Sequence, residues 1–394
     1  MSVKRLALTF LVMAAGLGAA APAYALNSNA DTTWMTNGKV FALAKSGTTL
    51  YVGGKFAKEV SPDGLTKYSV KSLGSYDLAT GTGIKTWHPQ VALLDGTKGT
   101  VNALALSPDG STLFVGGSFD LVNGVPAQNF AAVSTADGSI VPGWSHSFNQ
   151  QIHVILVGPN LVYIGGAFTK VDGIARDQLA ALTMPGDLSS WAPSADDTVR
   201  SMALAPDGTT MFIGGNFTTM DGVSRQSVAR VTLDTGALDP WAIPSGVIVG
   251  PQVGWALLPV GNRLYGGFGR GPNYVAAFRL DNGTSGTQVW RFNTVGNVES
   301  LAMSNDGTRL FFGGHFGTAR LTQTVCGNQP LHGLASINPS NGVLYCDWFP
   351  AITPFGKNFT GAWTLLSTGT KLWVGGFIDA INGVTHEGLA RFTL

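Results

Sequence analysis

One repeated phrase limits the fold more than any other property of the chain. Apolar residues followed by Gly-Gly occur as "LYVGGKF" (50–56), "LFVGGSF" (113–119), "VYIGGAF" (162–168), "MFIGGNF" (211–217), "RLYGGFG" (263–269), "LFFGGHF" (310–316) and "LWVGGFI" (372–378). Glycine weakens a strand interior, so a pair of them kept in seven strands has a reason beyond local propensity. Gly53 and Gly375 stand 322 residues apart with six intervals between them, about 54 residues each.

Three more segments travel with the phrase. A short apolar strand precedes it, as in "VFALA", "VNALA", "VRSMA" and "VESLA", and turns such as "SPDGST", "APDGTT" and "SNDGTR" join the two. Asp-Gly between apolar runs is a strong hairpin signal. A third strand follows, as in "NFAAV", "QLAAL" and "SVARV", and a fourth segment ends in Trp87, Trp144, Trp191, Trp241, Trp290 or Trp348. Four short strands per unit, repeated seven times, predict an all-β, seven-bladed β-propeller with four-stranded antiparallel blades. A parallel β-helix has a shorter period, and leucine-rich or helical solenoids need helices that this pattern lacks. In this reading the glycines let a bulky residue of the neighbouring blade lie on bare backbone, and the Trp residues fill the gaps between blades.

The last copy ends at its third strand, "GLARFTL", while "ADTTWMTNGKV" near the start carries a Trp with no repeat strands before it. Trp34 is then the seventh Trp, and the N-terminal strand is expected to complete the last blade and close the ring. The phrase apolar-apolar-Gly-Gly-x-Phe, with Asp/Asn-Gly a few residues on and Leu-Ala-Arg beyond, resembles the delta-60 repeat propellers. These are exported bacterial proteins of largely uncharacterised function. The resemblance covers residues 26–394 and implies a propeller in an extracytoplasmic setting, but it brings no catalytic residues. Trp stands here where many such repeats end in Phe. A more distant likeness to WD40 and YVTN repeats supports the architecture alone, and a fold does not give a function.

Residues 1–25 read as a secretory signal peptide: Lys4 and Arg5, an apolar run, then Ala23-Tyr24-Ala25 as a small-x-small cleavage site. Residues 26–394 are then one exported propeller domain, with no integral membrane segment after cleavage. Lys and Arg number 24 against 23 Asp and Glu, and only 12% of residues are charged. That is about half the usual share. With no basic run or stripe, nucleic acid is a poor partner. Cys326 and Cys346 are the only cysteines. The topology brings both to one end of the sixth blade, so an exported chain is expected to bridge them. The closed loop of 20 residues would stabilise by about 3 kcal/mol on chain-entropy grounds.

Spacings within the repeat point to one face. The first strand lies 13 or 15 residues before Gly-Gly throughout, whereas Gly-Gly to the third strand varies from 9 to 21 residues. Variation therefore gathers in the loops of the top face, where a rigid scaffold usually carries its binding residues. The second position of each innermost strand holds Phe41, Asn102, His153, Arg200, Gly254, Glu299 or Trp363. If the register is right, these ring the channel mouth, and Asn102, His153, Arg200, Glu299 and Trp363 are the candidate ligand-binding set.

Catalytic signatures are not found: no Gly-x-Ser-x-Gly elbow, His-Glu-x-x-His or phosphate loop occurs. His88, His146, His153, His315, His332 and His386 show no metal-ligand spacing, and "TMDGVS" and "KVDGIA" read as turns and not as calcium sites. His386-Glu387 is a lone acid–base pair. Asn216, Asn282 and Asn358 head glycosylation-type triplets. No catalytic residue, metal or cofactor is predicted. The expected function is binding of an extracellular or cell-wall glycan, or of a surface protein, through the top face. Two alternatives stay open. A lyase, lactonase or quinoprotein-type enzyme at the channel mouth would reveal a metal or quinone, and a purely structural envelope component would bind no small ligand.

Overall fold

A computed structural model describes residues 26–316, 326, 331–353 and 360–394. The expected signal peptide, Asn358 and most of the long loop before Leu331 lie outside the described residues. Among those described there are strands and turns but no helix, and hence no helix long and apolar enough to cross a membrane.

Among the described residues, seven antiparallel sheets built on a Gly-Gly strand follow one another along the chain, with smaller hairpin sheets between them. In the first, Lys39–Ser46 pairs with Thr49–Lys55, which pairs with Leu73–Asp77. The last repeats this order with Gly361–Thr368, Lys371–Phe377 and Leu389–Thr393. The core lies between sheets. Tyr51 and Trp87 of the first sheet pack with Val101, Leu113 and Val115 of the second, and Trp373 and Leu389 of the last pack with Val40 and Leu50 of the first. In six of the seven sheets the first glycine of the pair faces the next sheet's innermost strand, and in the fifth Gly267, the second glycine, faces Val298 instead. A Cβ there would collide with Val101 at Gly53, Ile152 at Gly116, Val199 at Gly165 and Val40 at Gly375. The last of these contacts joins the end of the series to its beginning.

Two expectations need correction. Among the described residues a four-stranded sheet forms only with Gln288–Thr294; elsewhere the fourth segment shrinks to a single bridge, such as Val133 to Ile140 or Val231 to Leu238. Trp87, Trp191 and Trp241 at the ends of these segments donate their Nε1 hydrogens to the carbonyls of Ser134, Thr232 and Arg279 in the following sheet, and Trp290 does the same to Pro339 from within the Gln288–Thr294 strand.

The N-terminal segment likewise forms no strand on the last sheet. It lies along that edge through backbone hydrogen bonds from Asp31 N–H to the Arg391 carbonyl and from Thr36 N–H to the Glu387 carbonyl, and Asp31 pairs with both Arg391 and Lys371. The Asp31–Arg391 contact reproduces the Asp239–Arg230 arrangement of the fourth sheet. Trp34, however, is out of step. Gly138, Gly236 and Gly342 face Trp87, Trp191 and Trp290, but the corresponding Gly81 faces the buried Thr33. Trp34 is displaced by one position, half-buried, against Gly83 and the ring of Tyr68.

The loops between second and third strands form small hairpins of their own. Leu121–Val122 and Val125–Pro126 pair with each other and then with Val91–Ala92 of the preceding connection. "KVDGIA" and "TMDGVS" are the turns of such hairpins. Asp172 and Asp221 adopt positive φ and accept the Ser147 and Ser194 N–H groups, which fastens the hairpins to the chain before them. Cys326 and Cys346 are bridged, with Cα atoms 5.1 Å apart.

Candidate functional site

The second glycine of the pair has a different task from the first. In the first sheet Val40 pairs with Gly54 and Ala42 with Gly53, so Phe41 is left over as a bulge. The same irregularity recurs in all seven sheets, at Asn102, His153, Arg200, Trp255, Glu299 and Trp363. A bulge re-aims the extra side chain. It also brings the bulged strand's backbone onto its partner. A Cβ on Gly54, Gly117, Gly166, Gly215, Gly314 or Gly376 would overlap the carbonyl of Lys39, Thr100, Gln151, Thr198, Asn297 or Gly361. Gly-Gly thus makes a bulge possible, and the bulge turns one side chain per sheet toward the axis.

Those seven side chains line one cavity of about 800 Å³. The five candidates Asn102, His153, Arg200, Glu299 and Trp363 all belong to it, as does Phe41. Gly254 does not. In the fifth sheet Phe268 occupies the place of the second glycine and faces Gly254, so the glycine has moved to the inner strand and the bulged residue is Trp255. His386 and Glu387 are not among the lining residues.

Sequence reasoning also missed a second tier. The residue after Gly-Gly contributes Lys55 and His315, the residue before the innermost strand's first apolar position contributes Lys39, Thr100 and Asn297, and Arg270 joins them from a positive-φ turn. The variable "x" of Gly-Gly-x-Phe was the available signal, since it alone changes character from Lys to Ser, Ala, Asn and His.

The cavity is divided chemically. Phe41 and Trp363, from adjacent first and last sheets, stack with centroids 5.0 Å apart, and Lys39 lies 4.4 Å over Phe377. Arg200 rests on Trp255 at 5.0 Å and donates to His153 Nε2 at 3.1 Å and, at 3.4 Å, to Asn216 Oδ1. Burial, with the Arg200 charge next, pushes His153 down to about 3, so its ring is a neutral acceptor. Burial and then the nearby Arg270 charge also depress Arg200. Glu299 Oε1 bonds His315 Nδ1 at 2.8 Å, and this bond holds His315 above the usual imidazole value. Glu299 Oε2 is buried and has no hydrogen-bond partner among the described residues.

No family model matches the chain, and no curated protein matches it. Solved structures do. The WD40 β-propeller domain of Doa1 aligns with a TM-score of 0.55 at 9% identity, over 92% of this chain and 95% of that one. U3-55K aligns at 0.59 and 11% identity, covering 93% of this chain and 100% of that one. The β-propeller domain of Cps50 (Swd1) from Myceliophteria thermophila gives 0.56 and 11%, over 91% and 98%. The fold is a β-propeller. At these identities the likeness extends to architecture alone, and the propeller's ring of bulged residues has to speak for its own chemistry.

Proposed function

We propose that this propeller is an exported binding module of the delta-60 repeat type, whose ligand site is the channel mouth and the loops around it. Its ligand is a cell-wall or extracellular glycan. The observation that carries this reading is the cavity itself: a rigid ring in which aromatic faces stand beside fixed polar and charged groups. Binding sites for small ligands combine these two features, within the size range of this cavity. The Cys326–Cys346 bridge supports an oxidising, extracytoplasmic setting. The Glu299–His315 pair is the one feature that favours an enzyme instead, since a carboxylate and an imidazole in contact can move a proton.

A thermal-shift screen against glycans, divalent metals and quinones tests the proposal. A ligand at 100 times its dissociation constant adds about 2.7 kcal/mol. A glycan should raise the melting temperature, and Arg200→Ala or Glu299→Ala should remove the rise. Conversion of a bound glycan to product would move the enzyme reading ahead. A screen in which no glycan shifts the melt would leave a protein partner or a structural role.

A further inference from the structure

Among the described residues, Arg230, Arg279, Arg309, Lys371 and Arg391 each meet an aspartate, and the other Lys and Arg side chains form no ion pair. Four of those others gather at the channel mouth. Lys39, Lys55, Arg200 and Arg270 all line it, and none of the four enters an ion pair among the described residues. Glu299 is the one carboxylate in the lining, and one of its oxygens is already taken by His315. Four cations line this concave site against one engaged carboxylate, with Asp197 also acting on Arg200, and the excess of positive charge attracts an anion.

The order of the sheets places these groups relative to one another. Phe41 and Trp363 belong to the first and last sheets, which are neighbours, and Arg200 belongs to the fourth. In a ring of seven, the fourth position lies across from the junction of the seventh and first. An aromatic wall therefore faces an arginine across the mouth, with Trp255 and Arg270 on the next sheet beyond it. Glu299, between Trp255 and Trp363 in that order, keeps a buried oxygen with no donor among the described residues.

We infer that the mouth recognises an acidic sugar, a uronic-acid unit whose ring lies on the Phe41–Trp363 wall and whose carboxylate meets Arg200 and Arg270. A sugar hydroxyl then supplies the donor that Glu299 Oε2 lacks. Arginine suits this role because its planar fork matches a carboxylate. A second anion beside two arginines also relieves their mutual repulsion. The inference rests on the mouth being the binding site, and it adds the charge of the ligand.

Calorimetric titration of the protein with uronic-acid oligomers separates the two. Galacturonate, mannuronate and glucuronate oligomers would each be compared with their methyl-esterified, neutral counterparts and with inorganic phosphate. One acidic oligomer is expected to bind at least tenfold more tightly than its ester. Arg200→Gln and Arg270→Gln, with melting curves showing them folded, should abolish that preference. Trp363→Ala should weaken acid and ester alike. Equal binding of acid and ester would overturn the acidic-sugar inference while leaving a glycan site at the mouth. Phosphate binding as tightly as the oligomer would overturn it by removing the sugar. Binding of none of these would overturn both readings.

Discussion

Gly215→Ala tests the link between the repeated phrase and the channel. At an unstrained site, replacing Gly by Ala stabilises by roughly 0.4–1 kcal/mol, because the unfolded chain loses freedom. Here the added methyl would overlap the Thr198 carbonyl and stand 3.0 Å from Val199 Cα. Both atoms are backbone of the innermost strand, fixed by ladder bonds on either side of the Arg200 bulge. Relief requires the two strands to separate locally. Forcing extra atoms into a packed site costs about 1–3 kcal/mol, and the upper half of that range applies because no side chain can turn aside.

Urea unfolding of Gly215→Ala would be set against Gly208→Ala in the hairpin of the same sheet. Gly208 has φ +70° and nothing within 4 Å, so it registers left-handed strain without crowding, a cost of roughly 1–2 kcal/mol. Gly215→Ala should be the more damaging of the two. It should also change the fluorescence of Trp255, on which Arg200 rests. A Gly215→Ala protein as stable as the parent would refute the reasoning, since the bulge would then not depend on the missing Cβ.

The displaced register of the N-terminal segment predicts unequal tryptophans. Trp191 is buried and bonded across the blade gap, so Trp191→Ala should cost about 3–5 kcal/mol in urea unfolding, and half-buried Trp34 should cost less than half as much. Two mouth histidines should give stability opposite pH dependences. His315 is raised in the folded protein, so its contribution is complete below the unfolded value near 6.5. That contribution disappears as pH climbs through the raised folded value, and His315→Asn should flatten this loss. His153 is depressed to about 3, so the unfolded chain takes up a proton that the folded one refuses. Stability then falls as pH drops below about 6.5, and His153→Gln should flatten this fall; unfolding at pH 4.5 and 7.5 measures both differences.

Much of this was legible in the sequence because the repeat supplied its own alignment. The strand order within a unit, an inter-sheet role for the Gly-Gly pair as a whole and the ring at the second position of the innermost strand all came from comparing copies, while the separate task of the second glycine did not. The fourth strand was over-read in every unit but the fifth, and two further misreadings lie where a copy breaks the rule. In the fifth unit the glycine that opens the bulge passes from one strand to its partner, so counting from the first apolar residue lands on Gly254 and not on Trp255. Near the start, Thr33 takes the gap that other units fill with Trp. Charge pairing was invisible for another reason. Arg230 and Arg391 each meet an aspartate brought alongside by the fold, whereas Arg200 and Arg270 form no ion pair among the described residues and line the mouth.

The two glycines also explain how one scaffold can hold seven different residues at its mouth. In six of the seven sheets the first glycine belongs to the contact between sheets, and the second to the contact between strands of one sheet. Neither contact involves the side chain of the bulged residue. Phe41, Asn102, His153, Arg200, Trp255, Glu299 and Trp363 range from aromatic rings to an amide, an imidazole, a guanidinium and a carboxylate, yet each occupies the same backbone irregularity. Backbone and glycine hold the geometry, so substitution at a bulged position changes what the mouth binds before it changes whether the chain folds. Stability and recognition are carried by adjacent residues in the same strands, and the repeated phrase is the boundary between them.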